Sequence, residues 1–182
     1  SKDITKAVTI AGSTISLGND AEADDVVIGV NVKAAQGIAG NVKVTGATSV
    51  TVGDDAVKIG ADNKNIIGVN VEAAAADITG TVEIGTTSVS IGKDAAAVGG
   101  DGGVIAGAVV TATAGDITKA VTVGKATVSI GDDSVGGNAT GAIKGIQIKA
   151  GQDIKGEVKA GVGATTTITL GNGVTFGTSA ST

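Results

Sequence analysis

DITKAVTI, from Asp3 to Ile10, returns as GIAGNVKV (Gly37 to Val44), DITGTVEI (Asp77 to Ile84), DITKAVTV (Asp116 to Val123) and DIKGEVKA (Asp153 to Ala160). Alternation inside this phrase puts Ile4, Val8 and Ile10 on one face and Thr5, Ala7 and Thr9 on the other. The third copy sets Ile78, Val82 and Ile84 against Thr79, Thr81 and Glu83 in the same way. A period of two residues is the signature of a strand buried on one side.

Working outward, each copy continues into a second phrase: TISLG, SVTVG, SVSIG, TVSIG and TITLG. These end on Gly18, Gly53, Gly92, Gly131 and Gly171, spaced by 35, 39, 39 and 40 residues. A third phrase reads VIGVNVKA (Val27 to Ala34) and IIGVNVEA (Ile66 to Ala73), degenerates to GAVVTATA and KGIQIKAG, and is missing from the fifth copy. The chain is therefore read as one repeat-built domain, 1–182, with repeats 3–36, 37–76, 77–115, 116–152 and a truncated 153–182. Self-similarity at this period marks a stacked-repeat architecture.

The expected fold is all-β, with a β-solenoid preferred over a two-sheet β-sandwich. Near-constant spacing lets equivalent residues stack in a solenoid, one repeat to a coil. The links Gly12-Ser13, Gly46-Ala47, Gly85-Thr86 and Gly124-Lys125 carry the Gly-X signature of a type II′ hairpin, which suits a sandwich and would set Val82 beside Val89, while an arc that folds the chain between stacked sheets fits the same residues nearly as well. The second link of each repeat is long, polar and rich in Asp and Gly, and collects the length differences expected of loops on one side of an array. In a solenoid, a column of Asp54, Asp94 and Asp132 would repel itself. The Ala runs at 73–76 and 95–97 are too short to nucleate a helix.

Composition excludes several function classes. The core must be built from Val, Ile, Ala and a few Leu, because the chain has one Phe, 31 Gly and no Trp, Tyr, Met, Cys or Pro. All 13 basic residues are lysines and the net charge is −5. Without guanidinium forks or aromatic stacking platforms, nucleic-acid binding has little to work with. No apolar run approaches the roughly 20 residues of a membrane helix. Ser1 and the absence of methionine suggest a mature chain after removal of a secretory signal, with trimming to this stretch as the plainer account. The lack of oxidisable side chains suits exposure outside a cell.

Catalysis lacks His, Cys, Tyr and Arg, and no Asp, Glu, Lys, Ser or Thr stands in a unique motif, so the chain is read as a non-enzyme without a cofactor. Asp54, Asp55, Asp101, Asp132 and Asp133, with the doublet Asp24-Asp25, supply the oxygen ligands calcium prefers, although the ordinary role of such residues is in turns. Asn138-Ala139-Thr140 is an N-glycosylation sequon in the loop-like GGNATG. Thr5, Thr9, Thr79, Thr81, Thr118 and Thr122, and the run from Thr165, invite an ice-binding reading, interrupted at Asn41, Lys43, Lys155 and Glu157. The plainer account is that Thr has high strand propensity on a solvated face.

DIKGEVKAG and GNVKVTG are similar to the Gly-x-Val-x-Gly rhythm of bactofilins, β-helical cytoskeletal polymers whose shorter coil does not match this period. More broadly, the Gly/Ala/Val/Thr-rich repeats resemble secreted microbial β-proteins that polymerise into sheaths, tubes, fibres or functional amyloids. That resemblance covers the whole chain through composition and repetition, and carries no residue role with it.

The functional expectation is an extracellular structural protein that partners copies of itself, growing head to tail by sheet continuation into a filament, tube or sheath. The contact residues expected are Asp3, Ile4, Val8 and Ile10 at one end, and Ile168, Leu170, Val174 and Phe176 at the other. Lys6, Lys119, Lys155 and Lys159 would set register or limit lateral aggregation. The tail GVTFGTSAST, turning at Asn172-Gly173, could instead cap the last repeat as a hairpin. The alternative function is a monomeric surface binding module, an adhesin stalk or ice-binding solenoid.

Overall fold

The computed structural model describes residues 3–22, 25–57, 64–98, 103–138 and 142–177, and among them all regular structure is β-strand. The first phrase of each repeat supplies β1 (Val8–Ile10), β4 (Val42–Val44), β7 (Val82–Ile84), β11 (Val121–Val123) and β15 (Val158–Ala160), stacked in that order as one parallel sheet. The second phrase supplies β2 (Ser13–Leu17), β5 (Thr48–Val52), β8 (Thr87–Ile91), β12 (Ala126–Ile130) and β16 (Thr167–Leu170), a second parallel sheet. The third supplies the long sheet of β3 (Val27–Ala34), β6 (Ile66–Ala73), β10 (Val104–Ala112) and β14 (Ala142–Ala150). Strands pair only with their equivalents one repeat away, so the fold is a β-solenoid of about four turns. A parallel pair needs a long crossover. Here the rest of the coil provides it.

The polar loops add a fourth side that the sequence reading did not foresee. β9 (Ala96–Val98), β13 (Val135–Asn138) and β17 (Thr175–Gly177) pair in parallel, with register shifts between β9 and β13 and between β13 and β17. Their sequences, AAV, VGGN and TFG, lack the alternating apolar pattern that identifies a strand.

The interior is divided in two. Ile38, Val42, Val44, Ile78, Val82, Ile84, Ile117, Val121 and Val123 pack against Val69, Val71, Val110 and neighbours of the long sheet. Val50, Val52, Val89, Ile91, Val128 and Ile130 form a separate cluster with Val27, Ile66 and Ile105. The division follows the glycines of the long sheet. A β-carbon on Gly68 would stand 2.5 Å from the Gly107 carbonyl oxygen and 3.3 Å from Cβ of Thr87; one on Gly29 would stand 2.6 Å from Cγ2 of Thr48. Glycine is required there because the opposite wall of the coil presses onto it. The hydroxyls of Thr48, Thr87 and Thr166 face this waist buried and without a hydrogen-bond partner.

Of the two readings of the Gly-X links, the hairpin is corrected and the arc between sheets holds. Among the turn glycines only Gly12 has positive φ, at 120°; Gly46, Gly85 and Gly124 do not take the backbone a type II′ turn requires at its first central residue. The chain bends between two sheets instead of reversing within one, and Val82 and Val89 belong to different interior clusters. Asn172-Gly173 makes no hairpin cap either: Gly173, at φ 70°, leads into β17, which runs parallel to β13.

The proposed aspartate column is out of register. Backbone N–H groups of Asp20, Asp55, Asp94 and Asp133 donate to the carbonyls of Asp54, Lys93, Asp132 and Asn172, which aligns Asp20, Asp55, Asp94 and Asp133 in one column. All four are left-handed, with φ between 54° and 57°. Asp54, Lys93 and Asp132 fall in the neighbouring column. There the side chains cap the backbone: Oδ1 of Asn19 accepts from the Asp54 N–H, Asp54 from Lys93, and Asp132 from Asn172.

Candidate functional site

Three surfaces carry the residues singled out by the sequence: the two ends of the solenoid, the polar loops and the outer faces of the sheets.

The last coil differs from those beneath it. Ile117, Val121, Val128 and Ile130 are at most 3% exposed, whereas Ile154, Val158, Ile168 and Leu170, one repeat on, are 42–48% exposed. Val162 is also exposed. Of the expected contact residues, Ile168 and Leu170 lie in this open interior, and Val174 is partly buried against the second cluster. Phe176 lies in β17. At the other end Ile4, Val8 and Ile10 are half-buried against the first cluster, and Asp3 is exposed. Both ends thus carry expected contact residues, and the outermost strands β1, β2 and β3 at one end and β14, β15, β16 and β17 at the other have one partner each in their sheets.

Charged side chains tie adjacent coils together. Lys33 pairs with Glu72 at 3.1 Å and Lys43 with Glu83 at 2.7 Å. Lys155 donates to Oδ2 of Asp116, whose Oδ1 accepts the Asp153 N–H. The Lys155 hydrogen bond, followed by that backbone bond, holds the Asp116 carboxyl below its ordinary value, and Asp116 in turn raises the Lys155 ammonium. Lys159 pairs with Glu157 on its own side of the coil at 3.1 Å. Lys155 thus reaches to the neighbouring coil, whereas Lys159 pairs within its own.

Among the described residues the calcium candidates do not form a cage. Asp54 and Asp132 are occupied in backbone capping, Asp55 and Asp133 stand in the adjacent left-handed column, and Asp101 lies outside the described residues. Among the described residues no three carboxylates converge on a point that could hold a metal ion. Asp25 pairs with Lys64 and accepts the Val26 N–H, the latter being the larger cause of its lowered pKa. Asn138 belongs to β13 and not to an irregular loop, while Ala139 and Thr140 of the sequon lie outside the described residues.

The outer faces differ in chemistry. On the first sheet Thr9 stacks on Lys43, then Glu83, Thr122 and Lys159, so its threonine ladder is broken by charge. The second sheet has no such breaks. One column is Thr14, Ser49, Ser88, Thr127 and Thr167; the next is Ser16, Thr51, Ser90, Ser129 and Thr169. The sequence reading touched this face only in the run from Thr165, which holds Thr167 and Thr169; elsewhere it followed the apolar partners Ile15/Leu17 to Ile168/Leu170, although every second residue of the phrase carried the signal.

Among the described residues no helix is long and apolar enough to cross a membrane. Comparison of the chain with protein-family models, with curated proteins and with solved structures finds no match.

Proposed function

We propose that the protein is an extracellular structural subunit that assembles into a filament, tube or sheath by continuing its parallel sheets from copy to copy. The observation that supports this reading is the exposure of Ile154, Val158, Ile168 and Leu170 at positions whose equivalents in the coil below are buried. Continuing the register of the first two sheets would set Ile4 of an incoming copy on Ile154, Val8 on Val158, Ile15 on Ile168 and Leu17 on Leu170. Each side chain so covered contributes about 1.5–3 kcal/mol when fully buried. The contact is heterologous and propagates without closing.

Among the described residues the first and second sheets have five strands each and the long sheet four, so the junction proposed is that of the first and second sheets. Catalysis plays no part in the reading. Placement outside the cell rests on composition: no Cys, Met, Trp, Tyr or His offers a target for oxidation.

The test is negative-stain electron microscopy of the purified chain through a concentration series, with and without calcium. Regular filaments or tubes are expected, and Val158→Lys with Ile168→Lys should abolish them while leaving the β-sheet circular dichroism intact. Monodisperse particles at every concentration would overturn the reading.

A further inference from the structure

The second sheet presents ten outward positions, every one a Ser or Thr, in a chain where 17% of residues are charged. Its register runs from β2 to β16 without a bulge. Strands about 4.8 Å apart and alternate residues roughly 6.7 Å apart make these hydroxyls a two-column lattice. The rigid interior fixes that lattice, since Val50, Val89 and Val128, which alternate with the outward residues, are at most 1% exposed. Ser88 and Ser49 share a hydrogen bond at 3.2 Å. Among the described residues the other hydroxyls on this face have no hydrogen-bond partner.

Three kinds of occupant can be compared. A protein partner is disfavoured by area: the face measures roughly 24 Å by 17 Å, about 400 Å², against about 800 Å² per partner in a stable complex. A sugar polymer binds best where aromatic rings offer a platform, and this face has none. Ordered water needs neither. A lattice of hydroxyls interleaved with the methyl groups of Thr14, Thr51, Thr127, Thr167 and Thr169 can hold first-shell water in repeating positions, without charges to orient that water radially.

We propose that the outer face of the second sheet is an ice-adsorbing surface, its ligand being crystalline water. The proposal does not depend on self-assembly, because the face lies along the side of the solenoid and not at its ends. It extends the reading of the run from Thr165, which holds Thr167 and Thr169 of this face, and differs from an ice-binding role for the first-sheet threonines, whose column carries Lys43, Glu83 and Lys159.

The test is thermal hysteresis and ice-crystal shape with the purified chain at concentrations below any assembly. The wild type should open a hysteresis gap and facet the crystals. Ser88→Lys with Thr127→Lys should lose both effects, Ser88→Thr should keep them, and Thr122→Lys on the first sheet should keep them as well. Circular dichroism on each variant separates loss of the face from loss of the fold. A wild type at buffer level would overturn the proposal, as would equal loss in the Thr122→Lys variant. Retention on crystalline cellulose without hysteresis would also overturn it and assign the face to a sugar lattice.

Discussion

Oδ1 of Asp77 accepts the backbone N–H of Asp116, one repeat further along the chain, at 2.8 Å. The bond is repeated where Asp3 accepts from Gly37 and where Asp116 accepts from Asp153. Each aspartate thereby satisfies a backbone donor at the entrance to the next coil, where the chain has left one sheet and not yet joined another. Gly37 stands in this column without a side chain and cannot pass the bond on to Asp77.

Asp116 also receives Lys155, and the pair predicts a two-sided pH dependence. The carboxyl lies below its ordinary 3.8 in the folded state, so its contribution is present above that value and is lost as pH falls through the folded pKa. The ammonium lies above its ordinary 10.5, so its contribution is present below that value and is lost as pH rises through the folded pKa. Asp116→Asn should be less stable than the wild type between these limits, and the gap should narrow on strong acidification. Urea midpoints measured across pH check this; a gap that stays constant into acid would count against the pair.

Gly68→Ala should destabilise the solenoid by about 1–3 kcal/mol, the range for forcing extra volume into a packed core. The added carbon would meet the Gly107 carbonyl oxygen at 2.5 Å, and this backbone atom has no rotamer by which to retreat. Gly18→Ala is the comparison, because a β-carbon there meets nothing within 4 Å. Equal melting shifts for the two variants would contradict the waist as described.

Thr87→Val should raise stability. The Thr87 hydroxyl is buried without a partner, a state that costs about 1–3 kcal/mol, and valine keeps nearly the same shape. A gain in the melting midpoint of the variant checks the point; a loss would mean that the hydroxyl has a hydrogen-bond partner at the waist.

Asp94→Asn should stabilise by at most about 1 kcal/mol, the order of cross-strand pair energies among which like charges directly opposite destabilise, net of the exposed pairing with Lys93 at 4.0 Å that it gives up. Asparagine tolerates the left-handed backbone that Asp94 adopts at φ 56°, and it removes the middle charge between Asp55 and Asp133. The gain should shrink in 1 M salt, where the screening length falls to about 3 Å. A gain independent of salt would point away from charge repulsion.

How far the fold was legible follows from these residues. Ile4, Val8, Ile15 and Leu17 announced their faces through a period of two, and the recurrence of their phrases announced the stack. The short strands β9, β13 and β17 stayed hidden because AAV, VGGN and TFG hold no alternating pattern; they are strands because neighbouring coils offer them partners. The register of the loops was misread for a related reason. Asp54 and Asp94 look equivalent in a list of acidic residues, and only the backbone hydrogen bonds place Asp55 on Asp94.

By itself the sequence determined that the chain is all-β, that its repeats are equivalent and which side chains face inward, since these depend on local alternation and recurrence. The tertiary structure decided that strands pair with their counterparts about 39 residues away and not with their sequence neighbours. It also decided that Gly46, Gly85 and Gly124 bend the chain between sheets, because their backbones lack the positive φ that would reverse it within one. The hydroxyl lattice from Thr14 to Thr169 belongs to both levels. Its residue types were written in every repeat, but only parallel stacking in register turns five separate strands into one continuous face.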